Sequence, residues 1–359
     1  MCSGLALTNT KKEAKTMKKT FSIFLCCVFV FSCIMAVTAN AQMQTPEAMV
    51  TRFMPTVEKE LAATFDDAEN LVVNYEETSI TLPVDNNVLS IATETEDNEP
   101  VLLEIALPMQ EENISLINDN TAYYDNTDED FIQTIQVYDK DILITTSALN
   151  ASAPVEYVYN FNLSENTYID YLYNEETGEP IDDTVYVFDN SGKILYCVAV
   201  NDVRTVDGEK VESELALNGE DVILTINNGE TLDKAVTFSI QASGSYSFAH
   251  YFDPNASQGY TSSFRMHPDD DTQLCLELFP NFNTLYSPYT RPDNVTHSQG
   301  SWSTIYNKFY TDSRWTNTAG MKDQYLCHYN WTQNKSPWHL EPDRPNVGYN
   351  QTVKKHCNP

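Results

Sequence analysis

From Asn70 to about residue 240 the chain alternates short apolar runs with turn residues. The runs are rich in Val, Ile, Tyr and Thr: Leu71–Tyr75, Ser79–Pro83, Val88–Ala92, Val101–Ala106, Phe131–Tyr138, Ile142–Thr146, Glu156–Phe161, Tyr168–Tyr173, Thr184–Phe188, Lys193–Val200, Val222–Ile226 and Ala235–Ile240. Strands spaced by about 8–12 residues with Asn/Asp/Gly turns predict an antiparallel β sandwich or layered sheet. Alternation puts Ile135 and Val137 toward a core and Thr134 and Gln136 toward water. Ahead of the strands, Thr45-Pro46-Glu47 reads as a helix start, and a second helical piece is expected over Thr56 to Thr64.

Beyond residue 243 the pattern changes. Tyr246–Phe252, Ser263–His267 and Thr272–Phe279 read as strands. A Pro/Asn-rich loop is expected from Pro280 to Gly300, with Ser301 capping a helix. Trp302, Ile305, Tyr306 and Phe309 share one face of that helix. Gln324–Trp331 reads as a strand, Pro337–Pro345 as a rigid loop and Asn346–His356 as a last helix. These elements predict a small α+β domain.

Charge sharpens the division. Residues 42–243 hold 7 Lys/Arg against 41 Asp/Glu, and residues 244–359 hold 9 against 10. All six His and all four Trp lie after residue 243. The expected organisation is a signal peptide over 1–41, an acidic antiparallel β domain with a short N-terminal helix over 42–243, and an aromatic, His-rich α+β domain over 244–359. The acid argues against a nucleic-acid partner, whose phosphates it would repel. The export signal is read from Lys11, Lys12, Lys15, Lys18 and Lys19, the apolar run Phe21–Val37, and Ala39-Asn40-Ala41. No second apolar span follows, so a secreted, extracellular chain without a membrane span is expected once the signal is removed.

Four cysteines lie in the leader and four beyond it, at Cys197, Cys275, Cys327 and Cys357. An even number in an exported chain allows three pairings. Cys327, expected mid-strand, bonded to Cys357 would pin the last helix to the sheet and close a loop of about 30 residues, worth about 3.6 kcal/mol in the chain-entropy view. Cys197 and Cys275 would then stay free or bridge the domains.

The candidate chemistry is in the last hundred residues. Glu341 and Arg344 stand three apart in a Pro-braced loop and read as an ion pair. His328, His339 and His356 could converge with Asp323 or Glu341, but no zinc-binding His/Glu spacing is present. His267-Pro268-Asp269-Asp270-Asp271 reads as an exposed turn. The acidic clusters Thr127–Asp130 and Asp182-Asp183 lack the spacing of a calcium loop. No metal and no cofactor is expected. The candidate functional surface is His328, Trp338, His339, Glu341, Arg344 and Tyr349.

The run Met321-Lys322-Asp323-Gln324-Tyr325-Leu326-Cys327-His328, the run Trp338-His339-Leu340-Glu341-Pro342-Asp343-Arg344-Pro345-Asn346-Val347-Gly348-Tyr349, and the ending Cys357-Asn358-Pro359 resemble a C-terminal domain of unknown function found in exported proteins of Gram-positive bacteria. The resemblance implies secretion and paired cysteines. It implies no established reaction, so no catalytic residue is carried over. The expected function is that of a secreted, non-enzymatic binding or effector protein. It would act through its C-terminal domain on an extracellular or cell-envelope target. The alternatives are an antibacterial protein with an acidic pro-region and a hydrolase with a His/carboxylate site.

Overall fold

The structure, a computed structural model, describes residues 63–359 apart from short stretches between the early strands, residue 202 and residues 255–260 and 287–294. The export signal and the expected helices over 45–62 lie outside the described residues. Residues 63 and 64, expected to end a helix, belong to a strand.

The strands are β1 (Ala63–Phe65), β2 (Leu71–Tyr75), β3 (Thr78–Leu82), β4 (Val88–Glu94), β5 (Pro100–Ala106), β6 (Ile114–Asn118), β7 (Thr121–Asn126), β8 (Phe131–Tyr138), β9 (Asp141–Ala148) and β10 (Glu156–Leu163). They continue with β11 (Thr167–Tyr173), β12 (Pro180–Asp189), β13 (Ile194–Val200), β14 (Arg204–Thr205), β15 (Ser213–Asn218), β16 (Asp221–Ile226) and β17 (Val236–Gly244). One sheet has the order β1-β2-β3-β4-β5-β10-β16-β15, and the other β11-β12-β13-β17-β9-β8-β7-β6, with β14 on β17. All pairings are antiparallel. Every expected strand of this region forms. The two sheets close on one apolar core that takes Ile80, Leu103 and Tyr159 from the first and Ile144, Val198 and Phe238 from the second. In β10 exposed and buried residues alternate, so Tyr157, Tyr159 and Phe161 point inward.

Ile135 and Val137 join that core as expected, but Thr134 and Gln136 are buried too. The polar side chains on the second face of this sheet bond sideways to one another: Thr145 to Ser239 at 2.9 Å and Ser147 to Thr237 at 3.1 Å. Lateral pairing satisfies hydroxyls that alternation alone assigns to water.

After β17 come α1 (Phe248–Tyr251), β18 (Ser263–His267), β19 (Asp270–Leu278), α2 (Phe282–Leu285), α3 (Val295–Phe309), α4 (Thr318–Trp331), β20 (Trp338–Leu340) and α5 (Tyr349–Lys354). The strands form a sheet of order β18-β19-β20. Several expectations are corrected here. Residues 248–251 are a helical turn rather than strand. The expected loop 280–300 contains α2 and the first turns of α3, and Ser301 sits inside α3 with its hydroxyl bonded to the carbonyl of His297. Gln324–Trp331 is helix, and the loop after Pro337 opens with β20.

A second core unites these elements with the outer face of the nine-stranded sheet. Tyr251, Phe252, Trp302, Tyr325, Trp338 and Leu340 pack with Tyr186, Phe188, Ile194 and Cys197 of β12 and β13. Helix α3 approaches β17 so closely that a Cβ on Gly300 would meet Ser243 Oγ at 2.9 Å. Asn307 donates to the carbonyl of Ile194 at 2.7 Å, and Glu175 caps α4 by accepting from the amide of Thr318 at 3.0 Å. Ser243 is buried in β17, paired with Asp141 across the sheet. A pro-region released by a cut there would break a sheet interior and strip this core, which disfavours the antibacterial alternative.

Candidate functional site

Period-two alternation gives the β18-β19-β20 sheet one apolar and one charged face. Phe264, Leu276, Leu278, Trp338 and Leu340 enter the core. Arg265, His267, Cys275, Glu277 and His339 occupy alternate positions and so share the other face. Glu341 follows β20 in the same phase.

These side chains form a row. Arg265 pairs with Glu277. Glu277 Oε1 meets His339 Nε2 at 3.2 Å. The His339 and His267 rings touch edge to face, with centroids 4.5 Å apart. His267 Nε2 faces Glu341 Oε1 at 3.8 Å, and Glu341 Oε2 accepts from Arg344 Nε at 2.5 Å. The middle is sheltered and the ends are open: the Glu277 and Glu341 side chains are 4% and 2% exposed, those of Arg265 and Arg344 37% and 38%. Gln324 braces the loop, accepting from the Glu341 amide at 2.8 Å and donating to its carbonyl at 3.0 Å. Asn317 donates to the Arg344 carbonyl at 2.7 Å. Burial holds His339 below the ordinary histidine range, against the pull of Glu277. Burial pushes the Cys275 thiol up to about 12, so it stays protonated.

The expected surface therefore divides. His339, Glu341 and Arg344 belong to the row, and the Glu341–Arg344 pair forms as expected. His328, Trp338, His339 and Glu341 are all buried, the first two in the seam between sheet and helix and the last two on the sheet's other face. The His328 ring stacks on Trp338 at 5.8 Å, on the apolar side of the sheet, and Nε2 lies 3.3 Å from the His339 carbonyl oxygen. His328 and the His339 side chain thus lie on opposite faces, and the expected trio with Glu341 does not line one pocket. His356 is exposed in a left-handed turn beside Cys357. Asp323 lies by Lys322 and Asp182, and burial raises it to about 6. Among the described residues no group of three or more His, Cys, Asp or Glu is placed to hold a metal. Arg265, His267 and Glu277 were missed as partners. Their signal was the shared phase of the charged positions in Ser263–His267, Gln273–Leu278 and Trp338–Glu341.

Tyr349 remains at the surface. Cys327 and Cys357 are bonded, Cα atoms 5.3 Å apart, and tie α5 to α4. Cys197 and Cys275 are buried and form no disulfide. Beside the bond, the Tyr349 hydroxyl accepts from Asn330 Nδ2 at 2.9 Å and from Trp331 Nε1 at 3.3 Å. Trp331 is 68% exposed, more than any other large apolar side chain among the described residues. Lys335, Lys354 and Lys355 on the same two helices and their flanks are exposed.

Two buried histidines make this part acid-sensitive. Burial lowers His297 to about 3 and His328 to about 4. Both folded values lie below the unfolded one, so their contribution is complete above about pH 6.5 and is lost as pH falls toward 3–4, by up to about 1.4 kcal/mol per pH unit each. Asp323, raised in the fold, gains stability on acidification between its ordinary range and about 6 and offsets part of this. Urea midpoints measured from pH 7 to pH 4 should fall, and His328→Gln should flatten the slope. An unchanged slope in that variant would count against the assignment.

Residues 279–359 match a family model described as a protein of unknown function, DUF2599. The chain carries a DUF2599 domain at its C-terminus. Uncharacterized proteins of Mycobacterium bovis and Mycobacterium tuberculosis are 39% identical over 46 residues, 12% of this chain and 31% of each relative's length. A glycoside hydrolase family 81 enzyme of Clostridium thermocellum is 7% identical, with 63% of this chain and 30% of that one covered at a TM-score of 0.19, a likeness that carries no argument. Within the DUF2599 segment 8 Lys/Arg stand against 5 Asp/Glu, in a chain of net charge −31. Among the described residues no helix is long and apolar enough to cross a membrane.

Proposed function

We propose that the protein is exported and acts outside the cell as a binding protein, through the stapled face of its DUF2599 domain. Its target is an acidic polymer of the cell envelope. The observation that carries the reading is Trp331, 68% exposed and held by Tyr349. Exposing an indole to water gives up burial that a folded chain ordinarily takes. An exposed aromatic anchor on a segment that also exposes lysines suits a ligand with apolar ring or sugar faces and negative charge. The basic excess of this segment, on an otherwise acidic chain, orients it toward such a polymer and turns the sandwich away.

The test is sedimentation of the full-length protein with purified cell envelopes. Trp331→Ala should weaken binding by about tenfold or more, as for a central aromatic anchor. Lys354→Glu with Lys355→Glu should also weaken it, most at low salt, where the Debye length is longest. Trp331→Ala binding like the unchanged protein would sink the proposal.

A further inference from the structure

The segment that follows α1 and the segment that precedes α2 are tied side by side. Phe252 bridges Pro280, the Asp253 amide donates to the Phe279 carbonyl at 2.8 Å, and the Asn281 amide donates to the Tyr251 carbonyl at 2.8 Å. Ser262 braces both, its hydroxyl donating to the Asp253 carbonyl at 3.1 Å and accepting from the Phe279 amide at 3.2 Å. Pro254 and Pro280 stiffen the backbone on either side. These segments and the start of α2 enclose an open cleft of about 430 Å³, whose lining includes Asp253, Pro254, Pro280, Asn281, Phe282 and Asn283. That volume is in the range of small-molecule sites. The Phe282 ring is fixed by stacking on Tyr286, centroids 6.0 Å apart, and by an edge-to-face contact with Trp338 at 6.3 Å. Asn281 stands just before α2, yet its side chain does not cap that helix, and its Nδ2 reaches the His250 carbonyl only at 3.5 Å. Asn281 Oδ1 and the Asn283 side chain have no hydrogen-bond partner among the described residues.

The chemistry of this lining is selective. Among the described residues that line the cleft none is Lys, Arg or His, and Asp253 carries the one charge. A phosphate or carboxylate would meet a carboxylate with no cation to offset it. A divalent metal needs several oxygen ligands, more than one carboxylate supplies. A wholly apolar molecule would cover the Asn281 and Asn283 amides and leave them without partners. A ring with an apolar face and a rim of hydroxyls answers every part of the lining. Its C–H face lies on an aromatic ring, and its hydroxyls meet amides that both donate and accept. We propose that this cleft binds a neutral saccharide unit, a hexose or an N-acetylhexosamine. Its apolar face rests on Phe282, its hydroxyls bond to Asn281 and Asn283, and Asp253 accepts from a hydroxyl at the rim. The cleft is built before the sugar arrives, because the bridge, Ser262 and the two prolines hold its walls, so little ordering is needed on binding. The site is separate from the Trp331 face and does not rest on it.

The experiment is saturation-transfer NMR on the full-length protein with glucose, galactose, N-acetylglucosamine and N-acetylgalactosamine as probes. At least one of these sugars should receive saturation, most strongly at the ring protons of one face. Asn283→Ala and Phe282→Leu should each weaken its binding by about tenfold, the loss expected for one well-made contact. Asn283 is exposed, so its variant keeps the fold; Phe282→Leu keeps an apolar side chain against Trp338, and circular dichroism checks it. Trp331→Ala should bind the sugar like the unchanged protein. Transfer to none of the sugars overturns the proposal, as does unchanged binding in both cleft variants. Loss of sugar binding in Trp331→Ala alone also overturns it, since the sugar would then sit on the other face. Sugar bound in the cleft, with envelope sedimentation indifferent to Trp331→Ala, leaves this site standing and removes the binding reading above.

Discussion

Lys322→Ala is expected to lower stability by about 3–5 kcal/mol, the usual loss when one member of a buried ion pair is removed. Lys322 is fully buried in α4, with its ammonium 2.6 Å from Asp182 Oδ2 and donating to the Tyr186 hydroxyl at 2.6 Å. The Tyr186 hydroxyl in turn donates a hydrogen bond to Gln299 Oε1 at 3.2 Å, and Gln299 Nε2 donates to Asp182 Oδ2 at 3.4 Å. The ring is closed, and it joins α3 and α4 to β12 of the sandwich. Alanine removes the cation and leaves Tyr186 short of a donor inside the second core. Asp182, whose side chain is 31% exposed, recovers some hydration, which favours the lower end of the range. Lys322→Met with Asp182→Asn should regain much of the loss, since an apolar side chain of similar length fills the space without a stranded charge. Urea unfolding followed by tryptophan fluorescence measures both. A loss below about 0.5 kcal/mol in Lys322→Ala, the range of an ordinary surface substitution, would mean that the pair does not join the two parts.

That lysine also marks where sequence reading ran out. The strands of the sandwich were legible because each carries its own alternation and turn residues. Helix α4 was not, because it is buried almost all round: Thr318 to Lys322, Gln324, Tyr325, Cys327, His328 and Tyr329 are all covered. A helix covered on nearly every side until its last turn has no apolar stripe of period 3.6, and Gln324–Trp331 then imitates a strand. Its start is marked by Asn317, in a left-handed conformation and accepting from the Gly320 amide, and by Glu175, 143 residues earlier. Only the first of these is local.

The candidate site was half legible for the same reason. Glu341 and Arg344 are neighbours in sequence, and their pairing followed from spacing. His339 and Glu277 are 62 residues apart and meet only through the register that sets Glu277 against His339. His328 stands eleven residues before His339 in the chain, yet a strand separates their side chains. Phase along a strand, more than proximity in the chain, decides which groups share a face.

Removing the disulfide by Cys327→Ser with Cys357→Ser is expected to cost about 3 kcal/mol. The bond closes a loop of 30 residues, for which chain entropy alone gives about 3.6 kcal/mol, and engineered losses fall somewhat short of that figure. The effect should be local as well as global. Helix α5 spans six residues, too few to persist without tertiary contacts, and its buried side chains are few. Cys357 itself is held at φ 73° after His356 at φ 57°, left-handed conformations that a released terminus would abandon. Once the bond is gone, residues 349–359 should exchange their amide hydrogens faster than the core of α4. Tyr349 would then lose its hold on Trp331, and envelope binding should fall even under conditions where the variant remains folded. Reduction of the unchanged protein should reproduce both effects, because Cys197 and Cys275 are not part of a disulfide. A double variant as stable as the parent, or one that has lost stability but binds envelopes equally well, would show that the staple does not organise the binding face.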